Sequence, residues 1–119
     1  MVAQGLLLLV AVLNLIPGIV AVRPDRAAAL YGVTLDGPAL ALAMRHRAVL
    51  LATVGLLLAL AALDKAWLWP AVLVALVSKL SFLGLFLVTG PHGPPMRRVA
   101  IADLGALLVL ALVLILERR

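Results

Sequence analysis

An all-α integral membrane four-helix bundle is the fold this sequence predicts, and three observations predict it. Of the 119 residues, 66% are apolar, and mean hydropathy is +1.27. A soluble domain of this size could not hide so much apolar surface. The apolar residues fall into four runs, at about 2–22, 38–63, 67–89 and 99–116. At about 1.5 Å per residue, each comes close to or exceeds the ~30 Å of a hydrocarbon core. The stretches between the runs hold Pro24, Pro91, Pro94 and Pro95, most of the charges and several glycines, which is loop chemistry. The whole chain reads as a single transmembrane domain.

The first run, Val2 to Val22, is broken only by Gln4 and Asn14. It has no basic residue before its apolar part, so it lacks the n-region of a signal peptide and reads as a span. Pro17-Gly18 is expected to kink it. A short interfacial helix is expected over Pro24–Tyr31, closed by Gly32. Asp36-Gly37-Pro38 reads as cap, spacer and first-turn proline of the second span. Asp64-Lys65 is a tight turn, and Trp67 and Trp69 mark the interface where the third span begins. Gly90-Pro91-His92-Gly93-Pro94-Pro95 reads as a stiff loop that cannot continue a helix. The fourth span is expected from Val99 to Leu116.

Charge narrows the function classes. The formal net charge is +5, but the basic residues other than Lys79 sit toward the segment ends, where they set topology and meet lipid headgroups. The lipid bilayer is therefore the expected partner, and nucleic acid is not. There is no cysteine, and there are two histidines and five acids. Thiolate chemistry, disulfides and a metal site are not expected. No Ser-His-Asp arrangement, HExxH or phosphate loop occurs, so no catalytic residue and no cofactor is assigned. Arg23, Arg26, Arg45, Arg47, Arg97 and Arg98 fall at one membrane face, against Lys65, Arg118 and Arg119 at the other. The positive-inside rule then puts both termini outside.

Ser78-Lys79-Leu80-Ser81 is the centre of interest. A lysine in mid-span costs roughly 2.5–3.5 kcal/mol on insertion scales, which the surrounding Leu, Val and Phe offset at about 0.3–0.6 kcal/mol each. The helix inserts, but the ammonium needs a partner. Helical phase puts Asn14 with Ala3, Ala11, Gly18 and Ala21, and Arg45 with Ala48, Ala52, Gly55 and Ala59. It puts Lys79 with Val72, Ala75 and Phe86, and Asp103 with Ala106, Leu107 and Leu110. These faces are consistent with Asn14, Arg45, Lys79 and Asp103 sharing one bundle interior. Counted from Trp67, Lys79 lies deep. Asp103, counted from Val99, lies shallow, so the lysine stem would climb to meet it. Arg47 is expected to point away, toward headgroups. Thr53, Ser78 and Ser81 are expected to bond to their own helix carbonyls.

The segments LIPGIVAVRPDRAAALYGV, MRHRAVLLATVGLLL and RRVAIADLGALL resemble small four-helix bacterial membrane proteins of uncharacterised role, similar to the broad DoxX-like group. That resemblance implies a bacterial inner membrane and a quinone- or lipid-facing role. Some similar sequences carry the automatic name phosphopantetheine adenylyltransferase. The chain has Pro91-His92-Gly93-Pro94 but not the second histidine of that enzyme's HxGH-type motif, and so does not support the name.

Three functional expectations follow. The preferred one is a binding or accessory protein with a polar intramembrane pocket for a quinone- or lipid-like guest. In it Arg45 and His46 stand at the mouth, Lys79 at the base, Asp103 as counter-ion and Asn14 alongside. The second is a small dimeric proton- or ion-coupled transporter in which Lys79 and Asp103 pair and unpair. The third is a structural subunit of a membrane complex, with Lys79–Asp103 fixing helix register.

Overall fold

The computed structural model describes residues 2–23, 25–34 and 36–117. Four helices long and apolar enough to cross a membrane account for most of it. The first is α1, Val2–Leu15, which continues as a 3-10 stretch over Ile16–Ala21. Pro17 sits at the start of that stretch and has no N–H to donate, so the α ladder changes pitch there. The interfacial helix is α2, Arg26–Tyr31, shorter than expected, and Pro24 lies outside the described residues. Gly32 ends it in the left-handed region at φ 69°, with its N–H on the Ala28 carbonyl. Just before α2, the exposed Arg23 guanidinium hydrogen-bonds Asp25 and holds its carboxyl below the usual range.

Helix α3 spans Pro38–Leu63, α4 Leu68–Val88 and α5 Pro94–Glu117. Two expected boundaries need correction. Gly37, not Asp36, is the residue before α3, and no side chain caps it. The fourth span begins at Pro94 rather than Val99, because first-turn prolines give up N–H groups that have no helical partner anyway. Between α3 and α4 a 3-10 turn covers Lys65–Trp67, and the Asp64 side chain accepts from the Ala66 N–H at 3.0 Å. Lys65 pairs with Glu117 at 2.9 Å and ties that turn to the end of α5.

Helix α1 packs against α3 and α5, and α4 packs against the same two. The four therefore form a ring in which α1 and α4 face each other across one diagonal. Small residues let α1 and α3 approach closely. A Cβ at Gly55 would lie 2.8 Å from the Ala11 carbonyl oxygen and 2.9 Å from Leu15 Cγ. One at Gly18 would lie 3.1 Å from the Ala52 side chain.

Large apolar side chains point outward: Leu8, Leu42, Leu56, Leu73, Leu87, Ile101, Leu108 and Ile115 are all exposed. In lipid this carries no penalty, since acyl chains are as apolar as leucine. The interior holds two apolar clusters. One runs from Ala3 through Leu7, Val10, Leu58, Val72, Leu110 and Val113. The other gathers Val20, Ala27, Tyr31 and Ala48 around α2. Asn14 and Lys79 are the polar side chains buried in this interior.

Candidate functional site

Lys79 is 3% exposed and Asn14 is fully buried. The Lys79 ammonium crosses the bundle diagonal and donates to Asn14 Oδ1 at 2.8 Å. It also pairs with Asp103 Oδ1 at 3.1 Å. Asn14 Nδ2 donates in turn to the Val10 carbonyl at 2.9 Å. The amide oxygen is thus turned toward the cation and the amide nitrogen toward its own helix. Two of the three ammonium protons have protein acceptors, and the charge is met by a carboxylate and a dipole.

The lysine does not need to climb. Because α5 starts at Pro94, Asp103 is nine residues in from that end, and Lys79 is nine residues in from Val88. Both backbones lie about 13–14 Å below the same face. The depth mismatch expected from sequence came from misplacing the start of α5.

Arg45 and His46 do not join this cluster. Arg45 is exposed, and its Nε donates to the Ala21 carbonyl at 2.7 Å, closing the end of the 3-10 stretch. His46 is exposed and makes no hydrogen bond among the described residues. Arg47 is the arginine that turns inward, against expectation. It is half-buried, donates to the Tyr31 hydroxyl at 2.6 Å, and stacks over the Tyr31 and Phe82 rings at 4.8 and 5.6 Å. An aromatic clamp holds the guanidinium between α2 and α4, where it gains cation–π attraction.

Arg47 and Asp103 both line a cleft of about 440 Å³ between α3 and α4. From α3 come Arg47, Leu50, Leu51, Thr53 and Val54; from α4 come Val74, Val77, Ser78, Ser81, Phe82 and Leu85. On both helices these positions follow the 3–4 spacing of one helical face. The volume is in the range of small-molecule sites, and the lining is mostly apolar with a few polar groups. Lys79 lies behind Asp103 and is not part of the wall. Thr53 and Ser81 hydroxyls bond to carbonyls of their own helices, at 2.9 and 3.0 Å. A smaller hollow of about 220 Å³ shares Phe82 and Leu85 with the cleft and reaches Phe86, Thr89, His92 and Met96. There His92 stacks on Phe86 and its Nε2 lies 3.0 Å from the Phe86 carbonyl.

Tyr31 and Phe82 carry no role in the sequence reading, and Arg47 is placed there at the headgroups. Arg47 shares a face with Leu50, Leu51 and Val54, a signal present in the sequence. In a uniformly apolar helix, however, nothing marks which face meets a neighbour. Comparisons with protein families, curated proteins and solved structures found no match for the chain.

Proposed function

We propose that this chain is a binding or accessory protein of a bacterial inner membrane, holding one quinone- or lipid-like amphipathic guest in the cleft between α3 and α4. The observation that carries this is the cleft itself: an apolar groove whose wall includes one inward-turned guanidinium and one carboxylate. An apolar tail fits the stretch lined by Leu50, Val54, Val74 and Val77, and the guest's polar end meets Arg47, Ser78 or Asp103. Asn14 and Lys79 act from behind, orienting Asp103 and keeping its charge compensated. With Arg47 turned inward, five arginines rather than six remain at the face of the first and third connections. The excess over the other face persists, so that face is assigned to the cytoplasm and both termini to the outside.

The packing weighs for binding over transport. Between Asn14 and the far membrane face stand Val10, Leu58, Leu110 and Val113, each 0% exposed. No polar side chain in that layer could pass an ion onward from Lys79. Use as a complex subunit or homodimer is compatible with the cleft and is read out by the same purification.

Native mass spectrometry of the protein taken from membranes in lipid nanodiscs tests the proposal. The wild type should carry a bound amphiphile, and Ser78→Phe, which fills the cleft beside Asp103, should lose it while keeping its helical circular dichroism. A wild type that is free of any guest, or a Ser78→Phe variant that keeps it, would remove the cleft as the site.

A further inference from the structure

The charge of the cleft narrows the guest further, and this step rests on the binding reading above. Among the described residues, three ion pairs form: Arg23–Asp25, Lys65–Glu117 and Lys79–Asp103. Arg47 is in none of them. Asp103, the one carboxylate on the cleft wall, is already committed to Lys79 at 3.1 Å. The cleft therefore carries an uncompensated positive charge, and it is an arginine.

The guanidinium is also presented rather than merely left over. Of its five N–H donors, one is used by the Tyr31 hydroxyl. The rings of Tyr31 and Phe82 fix its position without neutralising it. Tyr31 is buried and anchored in the cluster around α2, so the clamp has a rigid base. Phe82 lies six residues from the end of α4, about 9 Å below that end by helical rise. A half-buried, fixed, unpaired guanidinium at that depth favours an oxyanion, which it can bind through two parallel N–H bonds.

The geometry points to an anionic single-chain amphiphile as the guest: a carboxylate or phosphate head on Arg47, with one apolar chain running down the cleft between α3 and α4. A neutral quinone would leave the guanidinium without a counter-charge. A second acyl chain would exceed the 440 Å³ available and would have to lie outside in the bilayer. Arg47 is the binding residue in this assignment, and Tyr31 and Phe82 are positioning residues.

The test is equilibrium binding to the full chain in phosphatidylcholine nanodiscs, with five probes: palmitate, 1-palmitoyl lysophosphatidate, 1-hexadecanol, decylubiquinone and inorganic phosphate. Palmitate or lysophosphatidate should bind roughly tenfold or more tightly than hexadecanol, the factor expected of one charge-assisted contact. The tighter of the two identifies the head as carboxylate or phosphate. Arg47→Gln should remove that advantage, bringing the anionic probes down to within about threefold of hexadecanol on the same variant, and Arg47→Lys should keep part of it. Equal binding of hexadecanol or decylubiquinone would overturn the anionic assignment and leave the cleft standing as a site. Binding of inorganic phosphate as tight as that of lysophosphatidate would overturn the role of the chain. No binding of any amphiphile would overturn the assignment together with the cleft reading. The comparison among probes on wild type needs no variant, so poor folding of Arg47→Gln would not block the result.

Discussion

The ion pair in the bundle interior makes the sharpest prediction, through a double-mutant cycle on Lys79 and Asp103. At 3.1 Å the pair attracts by about 5 kcal/mol if an effective dielectric constant of ~20 applies. Lys79→Met removes that attraction and leaves the Asp103 carboxylate and the Asn14 amide oxygen without their shared donor. Breaking one side of a buried pair costs about 3–5 kcal/mol. Asp103→Leu should cost a similar amount, because Lys79 would then face only Asn14. The double variant, Lys79→Met with Asp103→Leu, leaves no uncompensated charge and should recover most of the loss, giving a coupling of about 2–4 kcal/mol. The exchange Lys79→Asp with Asp103→Lys tests the same coupling from the other direction and should also regain stability. The assay is reversible unfolding in mixed micelles of rising dodecyl sulfate fraction, followed by circular dichroism. Additive single losses, or a Lys79→Met loss below about 1 kcal/mol, would refute the claim that Lys79 and Asp103 are coupled in the bundle interior.

Two further outcomes follow from the packing and the charges. Gly55→Ala should destabilise the bundle by about 1–3 kcal/mol in the same assay, since its Cβ would fall within 3 Å of the α1 backbone and of Leu15. Gly84→Ala, where nothing lies within 4 Å, should be tolerated. A reporter active only in the cytoplasm should be silent when fused after Arg119. Activity there would reverse the assigned orientation.

Much of this architecture was legible one residue at a time. Four apolar runs, the change from α to 3-10 helix at Pro17-Gly18, the left-handed cap at Gly32 and the close-packing face around Gly55 each depend on local chemistry. The start of α5 is the exception: as helix breakers Pro94 and Pro95 would put it at Val99, and as first-turn residues they put it at Pro94. That one shift also moves Asp103 by more than one turn relative to Lys79. The meeting of Asn14, Lys79 and Asp103 could be anticipated because polar groups in a lipid-embedded chain have few places to go.

The three adjacent residues Arg45, His46 and Arg47 show where such reasoning stops. Their composition says only that charge enters α3 at that level. Arg45 closes onto a backbone carbonyl and His46 faces outward. Arg47 enters the cleft because α2 folds back and presents Tyr31, while α4 presents Phe82 from the other side. Sequence alone determined that the chain needs lipid and that its mid-span ammonium needs a polar partner, since both are free-energy demands of the residues themselves. Tertiary structure decided which arginine faces the cleft, because that depends on how two separate helices close around it.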